Sequence, residues 1–366
     1  MASVPQWEAW WMTQMGSLRR SQAKTLVACM AGLIRDGHLG VAAIGRAMPG
    51  PVAPKHRIKR VDRFLSDARL DRDAARADRI RLVVMGRKVV RVIIDGTDVH
   101  DGHQTLVAAI VTGHRRALPV AAETVAKADL TLRQNAIELA FLQRVRRLFP
   151  PGCQPILLAD RGFCRVACLA AAEALGWRYV IRLTGDRWVD TPDYTGILHD
   201  LPARRVRWGD WRRAAITKAR FVTRLIATWA EGQQAPGFLV TNLQYVSTDQ
   251  VIREYARRFQ IEECFKDSKN SHRGGLRLRG VHVTRADRWN RLWVIWMWAY
   301  AWLSWVERWA EDTGWARRLR ANTVQHRTHA CWKVGWYAWR ELHPSLDALL
   351  PWQPRLLLLT LESLRG

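Results

Sequence analysis

Residues 88–98, KVVRVIIDGTD, form an alternating run of β-branched and other apolar residues that closes on polar ones, a pattern typical of a β-strand. Two more such runs follow, QTLVAAIVTG (104–113) and RRALPVAAETV (115–125), and the short links between them favour hairpins. Helical and strand patterns then alternate, in LRQNAIELAFLQRVRRLF (132–149), QPILLAD (154–160), CRVACLAAAEALGW (164–177) and RYVIRLT (178–184). The middle of the chain is therefore predicted to be an α/β unit.

The order of these elements, three strands followed by helix, strand, helix and strand, matches a ribonuclease H-like fold, a mixed sheet flanked by helices. We predict such a core over residues 87–284. Short strand patterns predict a β-rich insertion within it, over residues 184–246. Helical patterns predict helical regions on either side, over residues 1–86 and over the Trp-rich residues 285–366.

The charge balance points to a polyanionic partner. The 366 residues include 58 Lys and Arg against 33 Asp and Glu, a net charge of +25. Without an anionic partner, a surplus of this size would only add self-repulsion. An inert cationic surface is the alternative, but the excess runs along the whole chain, which favours a long footprint on double-stranded DNA.

A cluster of cations opens the stretch KHRIKRVDRFLSDARLDRDAARADRIRLVV (55–84), which is predicted to be basic and helical. The charge in the cluster has one sign rather than alternating signs, which favours contacts with DNA phosphates over a merely solvated helix face. We therefore expect residues 1–86 to bind DNA. The predicted phosphate contacts are Lys55, Arg57, Lys59, Arg60 and Arg63.

Other classes of protein fit the sequence poorly. The six cysteines have no framework spacing, which favours reduced thiols. The N-terminus lacks the pattern of a secretory signal, and the apolar stretch 292–306 is too short to span a bilayer, which takes roughly 20 residues. We expect a cytoplasmic protein in which residues 292–306 form a buried helix.

Two aspartates follow buried strand patterns, Asp95 after VII and Asp160 after ILLA. A carboxylate at the carboxyl end of a buried strand projects into the crevice where substrates bind. The net positive charge predicts that the chain binds a polymer of phosphates. In such a chain, two aspartates of this kind suggest metal-assisted phosphoryl transfer, because Mg²⁺ prefers a few carboxylates plus substrate phosphate. Each aspartate alone would be weak evidence, since Asp commonly ends strands.

A third carboxylate is predicted on the helix TDQVIREYARRFQIEECFKDSK (248–269), with Thr248 as its N-cap. Residues four and seven apart share one helical face, so Glu262 would share a stripe with a phenol and several cations. A solvated helix with i, i+4 ion pairs is the alternative, and Glu263, about 100° away, is the second candidate for the third ligand. The stripe comprises Tyr255, Arg258, Glu262, Lys266 and Lys269.

The pattern Y-x2-R-x3-E-x6-K, filled by Tyr255, Arg258, Glu262 and Lys269, resembles the signature helix of the DDE transposases of bacterial insertion sequences. This is the cut-and-paste group with a β-rich insertion before the catalytic Glu. The segments IIDGTD (93–98) and ADRGF (159–163) resemble the motifs around that family's two aspartates. RVDRFLSDARLD (60–71) is similar to a segment ahead of its catalytic core.

The resemblance implies that Asp95, Asp160 and Glu262 are the catalytic residues and bind two Mg²⁺ (or Mn²⁺) ions. It implies cleavage at transposon ends, a hairpin intermediate, and strand transfer into target DNA by a homodimer that holds both terminal inverted repeats. Cations and the phenol of the stripe would grip phosphates, and Trp208 and Trp211 would stack on an unpaired base. The protein would then be associated with the bacterial nucleoid, and residues 285–366 would serve in DNA contact or dimerisation.

Two other functions fit the same residues. A domesticated transposase would bind DNA without transposing, although buried carboxylates are costly without a metal. A stand-alone nuclease of the same fold would cut without joining, although separate helical regions at both ends favour recognition of transposon ends.

Overall fold

The computed structural model describes residues 4–99, 102–113, 115–201, 209–229, 235–269, 276–325 and 328–350. The helices in this part of the chain are α1 (Val4–Gln14), α2 (Arg20–Asp36), α3 (Val41–Ala47), α4 (Pro54–Ser66), α5 (Arg72–Val84), α6 (Lys127–Leu148), α7 (Val166–Ala174), α8 (Thr248–Ala256), α9 (Gln260–Lys269), α10 (Ala286–Asp312), α11 (Cys331–Leu342) and α12 (Leu346–Leu349). The strands are β1 (Val89–Asp98), β2 (His103–Ile110), β3 (Leu118–Ala126), β4 (Gln154–Ala159), β5 (Arg178–Leu183), β6 (Trp188–Thr191), β7 (Tyr194–Ile197), β8 (Gly209–Ile216), β9 (Phe221–Thr228) and β10 (Gly237–Thr241).

One mixed sheet organises the protein, with the strand order β3-β2-β1-β4-β5-β10-β9-β8-β6-β7. Strands β1, β2 and β3 form an antiparallel meander, and β4 and β5 run parallel to β1. The predicted α/β class, a mixed sheet flanked by helices, is confirmed, and its elements follow the predicted order. The helix before β4 begins at Lys127, five residues earlier than predicted, and has non-helical backbone angles at Arg133.

The five strands β6 to β10 extend the same sheet rather than forming a separate one. Strand β10 pairs antiparallel with β5, and β9 pairs with β10. These strands lie within residues 184–246, where the sequence predicts a β-rich insertion. The insertion therefore continues the sheet away from β1 and leaves the ends of β1, β4 and β5 open to the helices.

The basic stretch 55–84 is helical, as predicted, and it forms two helices, α4 and α5. The helix breaks between Asp67 and Asp71, where aspartate side chains bind backbone N–H groups. Asp67 accepts from the N–H of Arg69, and Asp71 caps α5 by accepting from the N–H groups of Asp73 and Ala74. Short polar side chains compete in this way with the backbone bonds that would continue a helix.

The Trp-rich helix α10 packs against β3, α2 and α11. The indole N–H of Trp293 donates to Thr105 on β2 and Thr124 on β3, at 3.2 and 3.1 Å, which ties α10 to the end of the sheet. Six of its tryptophans are at most 2% exposed: Trp289, Trp293, Trp296, Trp298, Trp302 and Trp305. Residues 292–306 are thus a buried core helix, as predicted.

No single helix in the described residues is long and apolar enough to cross a membrane, although α2 and α3, bent by 94° at their junction, reach the required length and apolarity together. All six cysteines are free and buried.

Candidate active site

Asp95 and Asp160 lie side by side on adjacent parallel strands. The last residues paired between β1 and β4 are Ile94 and Ala159, so each aspartate is the next residue along its strand. Neighbouring strands are about 4.8 Å apart, and residues in register point to the same face. The two carboxylates therefore occupy the same face of the sheet where β4 ends. Strand β1 itself continues to Asp98 against β2, so Asp95 does not end its strand, contrary to the sequence-based prediction.

Asp160 starts a short 3-10 turn, Arg161–Phe163, and caps it: its Oδ1 accepts from the N–H of Gly162 at 2.9 Å. A Cβ atom added to Gly162 would lie 3.1 Å from that oxygen. The glycine of the ADRGF segment is therefore needed for the backbone to approach the aspartate this closely. Phe163 is buried and anchors the other end of the turn.

Gly162→Ala is expected to lower DNA cleavage about tenfold without changing the fold, because the added methyl group displaces the Asp160 carboxylate by a few tenths of an ångström, and small misplacements of catalytic groups are costly. Single-turnover cleavage rates and thermal unfolding would measure both effects. Gly16→Ala is the control, since its added Cβ would have no atom nearer than 3.9 Å. Equal rates in the two variants would contradict this account of the turn.

The predicted signature helix is interrupted. Helix α8 ends at Ala256, residues Arg257–Phe259 form a 3-10 turn, and α9 begins at Gln260. The N-cap is Ser247, in a capping box with Gln250, so the prediction of Thr248 as N-cap is wrong. Ser247 has extended backbone angles and a hydroxyl that accepts from the N–H of Gln250, whereas Thr248 is already helical and its hydroxyl donates to Asp210.

A buried ion pair fixes α8 to the sheet. Arg91, on the same face of β1 as Asp95, donates to both carboxylate oxygens of Glu254 on α8. Their side chains are 5% and 7% exposed. The bidentate geometry sets both the position and the rotation of the helix. The next turn along the chain therefore faces Asp95.

Arg258 joins the third carboxylate to the first. Its Nη1 donates to Oδ2 of Asp95 at 3.2 Å, and its Nη2 donates to Oε1 of Glu262 at 2.7 Å. The Arg258 side chain is 9% exposed, whereas the Glu262 side chain is 43% exposed. A single planar guanidinium thus lies between Asp95 and Glu262. Glu263, the second candidate, instead contacts Arg116, at 3.2 Å.

The negative charges of Asp160 and Glu262 lie close enough to Asp95 to affect its protonation. Burial raises the pKa of Asp95 to about 6, the Gly96 N–H and Arg258 oppose that shift, and the nearby charges of Asp160 and Glu262 add to it. Burial also raises the pKa of the Tyr255 phenol, against the lowering effect of nearby guanidinium groups. Like charges brought this close favour the binding of a cation among them.

Helix α9 is held at both ends by the loop between β2 and β3. At its start, the Gln260 amide exchanges two hydrogen bonds of 3.0 Å with the backbone of Thr112. Near its end, buried Asp267 accepts from Arg116 at 3.1 Å and from Tyr300 of α10 at 2.9 Å. No sequence pattern pointed to these residues, because partners more than 30 positions apart leave no local pattern. They fix where Glu262 lies.

The remaining residues predicted to contact DNA are Lys266, Lys269, Trp208 and Trp211. Lys266 donates to Glu263 at 2.6 Å and is 66% exposed, and Nζ of Lys269 lies 6.0 Å from the Phe265 ring centre. The indole N–H of Trp211 donates to Asp193, and Trp208 lies outside the described residues. Their proposed roles in DNA binding and stacking stay predictions.

The cation cluster of α4 divides into two kinds of side chain. Arg57 donates to the Met48 carbonyl, and Arg60 donates to Thr25 and to the Lys24 carbonyl, so both also support the packing of α4. The exposed members are Lys55, Lys59 and Arg63.

Three carboxylates suit a hard divalent ion, because such ions take oxygen ligands. No three Asp, Glu, His or Cys side chains within the described ranges are spaced to hold an ion together as they stand, and Arg258 lies between two of the candidates. The three carboxylates, and the raised pKa of Asp95 among them, nevertheless suit the binding of a cation, provided that Arg258 releases one or both of its carboxylate partners.

A family model described as the transposase DDE domain matches residues 87–297, more than half of the chain. The chain belongs to this family. It is therefore a DDE transposase, a member of a family of enzymes that cut DNA and transfer its strands and that generally use divalent metal ions. No curated protein matches the chain. The match spans β1 to β10, the signature helix and the first part of α10.

Proposed function

We propose that this transposase cuts DNA at the ends of its own element and joins those ends to target DNA by a cut-and-paste route with a hairpin intermediate. Asp95, Asp160 and Glu262 would hold two Mg²⁺ or Mn²⁺ ions in a ribonuclease H-like core. The register that sets Asp95 beside Asp160, with Glu262 linked to Asp95 through Arg258, supports this most strongly. Divalent ions at such a site stabilise the attacking and leaving oxygens of an in-line displacement.

The side chains around the carboxylates would bind the DNA strand. Arg258 is placed to exchange a carboxylate partner for a non-bridging phosphate oxygen, because a guanidinium binds either group with the same geometry. Tyr255 lies beside it and would hold the terminal nucleotide with it. Lys266 and Lys269, farther along α9, would bind phosphates of the flanking duplex.

The regions on either side of the core would recognise the ends. We assign residues 1–86 to binding of the terminal inverted repeats, residues 87–284 to catalysis, and residues 285–366 to DNA contact or to the homodimer that holds two ends. The exposed cations of α4, Lys55, Lys59 and Arg63, support the first assignment. Trp211 would stack on an unpaired base only after its bond to Asp193 is broken.

The test is a plasmid that carries this reading frame with its flanking genomic DNA, incubated with the purified protein and Mg²⁺, Mn²⁺ or EDTA. We expect double-strand cuts at the element's boundaries with either metal and none in EDTA, hairpin ends that run as joined strands on denaturing gels, and insertion into a second plasmid. Cutting that persists in EDTA would contradict the metal site. Cuts without joined products would indicate a nuclease, and binding without cuts a domesticated DNA-binding protein.

A further inference from the structure

Arg182 on β5 lies in the same row as the two aspartates. Ile94, Ala159 and Ile181 are paired across β1, β4 and β5, so the next residues are Asp95, Asp160 and Arg182. Residues in register on parallel strands point to the same face, and the row spans about 10 Å at the usual strand spacing. Strand β5 thus contributes a cation to this row, to which β1 and β4 each contribute a carboxylate.

The side chain of Arg182 is exposed and makes no hydrogen bond or ion pair with side chains in the described part of the chain. Two other arginines of the sheet behave differently: Arg91 is buried against Glu254, and Arg224 is buried against Asp210, with contacts of 2.6 and 2.8 Å. Both of these buried arginines are paired with a carboxylate. Arg182 has no such carboxylate partner among the described residues, although its strand pairs with β4 on one side and β10 on the other.

The surroundings of Arg182 belong to the candidate active site. Tyr255, from the signature helix, is close enough that the charges of Arg182, Arg258 and Asp160 all act on its phenol. A phosphate that lies against Tyr255 and Arg258 would therefore also lie near Arg182. A rigid strand that presents an unpaired guanidinium is well suited to bind an anion.

We propose that Arg182 binds a phosphate of the DNA strand beside the one that is cut. This role rests on the function proposed above and adds a contact from the sheet to those from the signature helix. The guanidinium would hold the strand from the side of β5, opposite to Arg258, so that the strand crosses the row of carboxylates.

Arg178 provides a matched control. It lies four residues earlier on the same strand, on the same face, and is also exposed. It is about 13 Å from Arg182 at the usual rise of a strand and lines a separate cleft with Gln154 and Tyr245, where β1, β4 and β5 begin. Replacement of Arg178 by glutamine lowers the net charge as much as the same replacement of Arg182, but it removes nothing from the active site.

The experiment compares R182Q, R182K and R178Q with the wild-type protein. The probe for binding is a labelled duplex that carries one boundary of the element, titrated in EDTA at several salt concentrations. We expect R182Q to reduce the slope of log affinity against log salt by about 0.9, the contribution of one phosphate contact, and R178Q and R182K to keep the wild-type slope. With Mg²⁺, we expect R182Q to cut about 100-fold more slowly than R178Q.

An unchanged slope for R182Q would overturn the proposal even if cleavage falls, because an effect confined to the carboxylates alters the reaction but not the number of phosphate contacts. An equal loss of slope in R178Q would also overturn it. If no protein, including the wild type, cuts DNA with either metal, the transposase function fails separately, and the slopes in EDTA still decide whether Arg182 binds phosphate.

Discussion

Replacement of Glu262 by glutamine is expected to slow metal-dependent DNA cleavage by about a thousandfold or more while leaving binding to the element's ends intact. A bound divalent ion contributes several kcal/mol to the stability of the transition state, and loss of one anionic ligand removes much of it. Glutamine is chosen because its carbonyl can still accept the bond from Arg258, which in the native protein is 2.7 Å long. Single-turnover cleavage and end binding in EDTA would separate the two effects.

The adjacent Glu263 offers a control on the same turn of the same helix. Its carboxylate contacts Arg116 and Lys266 rather than Arg258, so Glu263→Gln is expected to change cleavage by only about twofold, as most exposed substitutions do. Asp95→Asn and Asp160→Asn should behave like Glu262→Gln. If Glu263→Gln proved as damaging as Glu262→Gln, the assignment of the third ligand would be wrong.

Replacement of Glu254 by alanine is expected to lower the free energy of unfolding by about 3–5 kcal/mol, because it leaves the buried charge of Arg91 without a partner. The two side chains are 7% and 5% exposed and join α8 to β1. Since α8 leads directly into Arg258 and α9, cleavage should fall together with stability. Urea denaturation followed by tryptophan fluorescence would measure the change.

An exposed pair provides the comparison. Arg133 and Asp129 are 66% and 52% exposed, so Asp129→Ala should cost no more than about 0.5 kcal/mol. The double replacement Arg91→Met with Glu254→Leu removes both buried charges and should recover most of the stability lost in Glu254→Ala. A Glu254→Ala protein as stable as Asp129→Ala would show that the ion pair does not hold the signature helix.

The alternation of apolar residues was sufficient to predict the central part of the fold. Each strand from β1 to β5 and each intervening helix lies within a few residues of its predicted range, because buried strands and amphipathic helices each need a fixed local period. The stretch 55–84 is also helical, as its pattern predicted, and it is divided in two because Asp67 and Asp71 bind nearby N–H groups and end one helix before starting the next.

The spacing of Arg258 and Glu262 on a helix also followed from the sequence, and they contact each other as residues four apart should. Their position relative to Asp95 could not be predicted from the sequence, because it depends on how Arg91 and Glu254 place α8 on the sheet. Such contacts join residues 163 positions apart, and helical periodicity carries no information about them.

By itself, then, the sequence determined that the chain has an α/β core, a basic surface suited to DNA, two aspartates after buried strands and a helix with a carboxylate among cations. Only the tertiary structure decided that Arg258 lies between two of the carboxylates and that Arg182 completes their row. The physical reason is that the period of a strand sets which face a side chain occupies, whereas its neighbours depend on the register between strands that are distant in the chain.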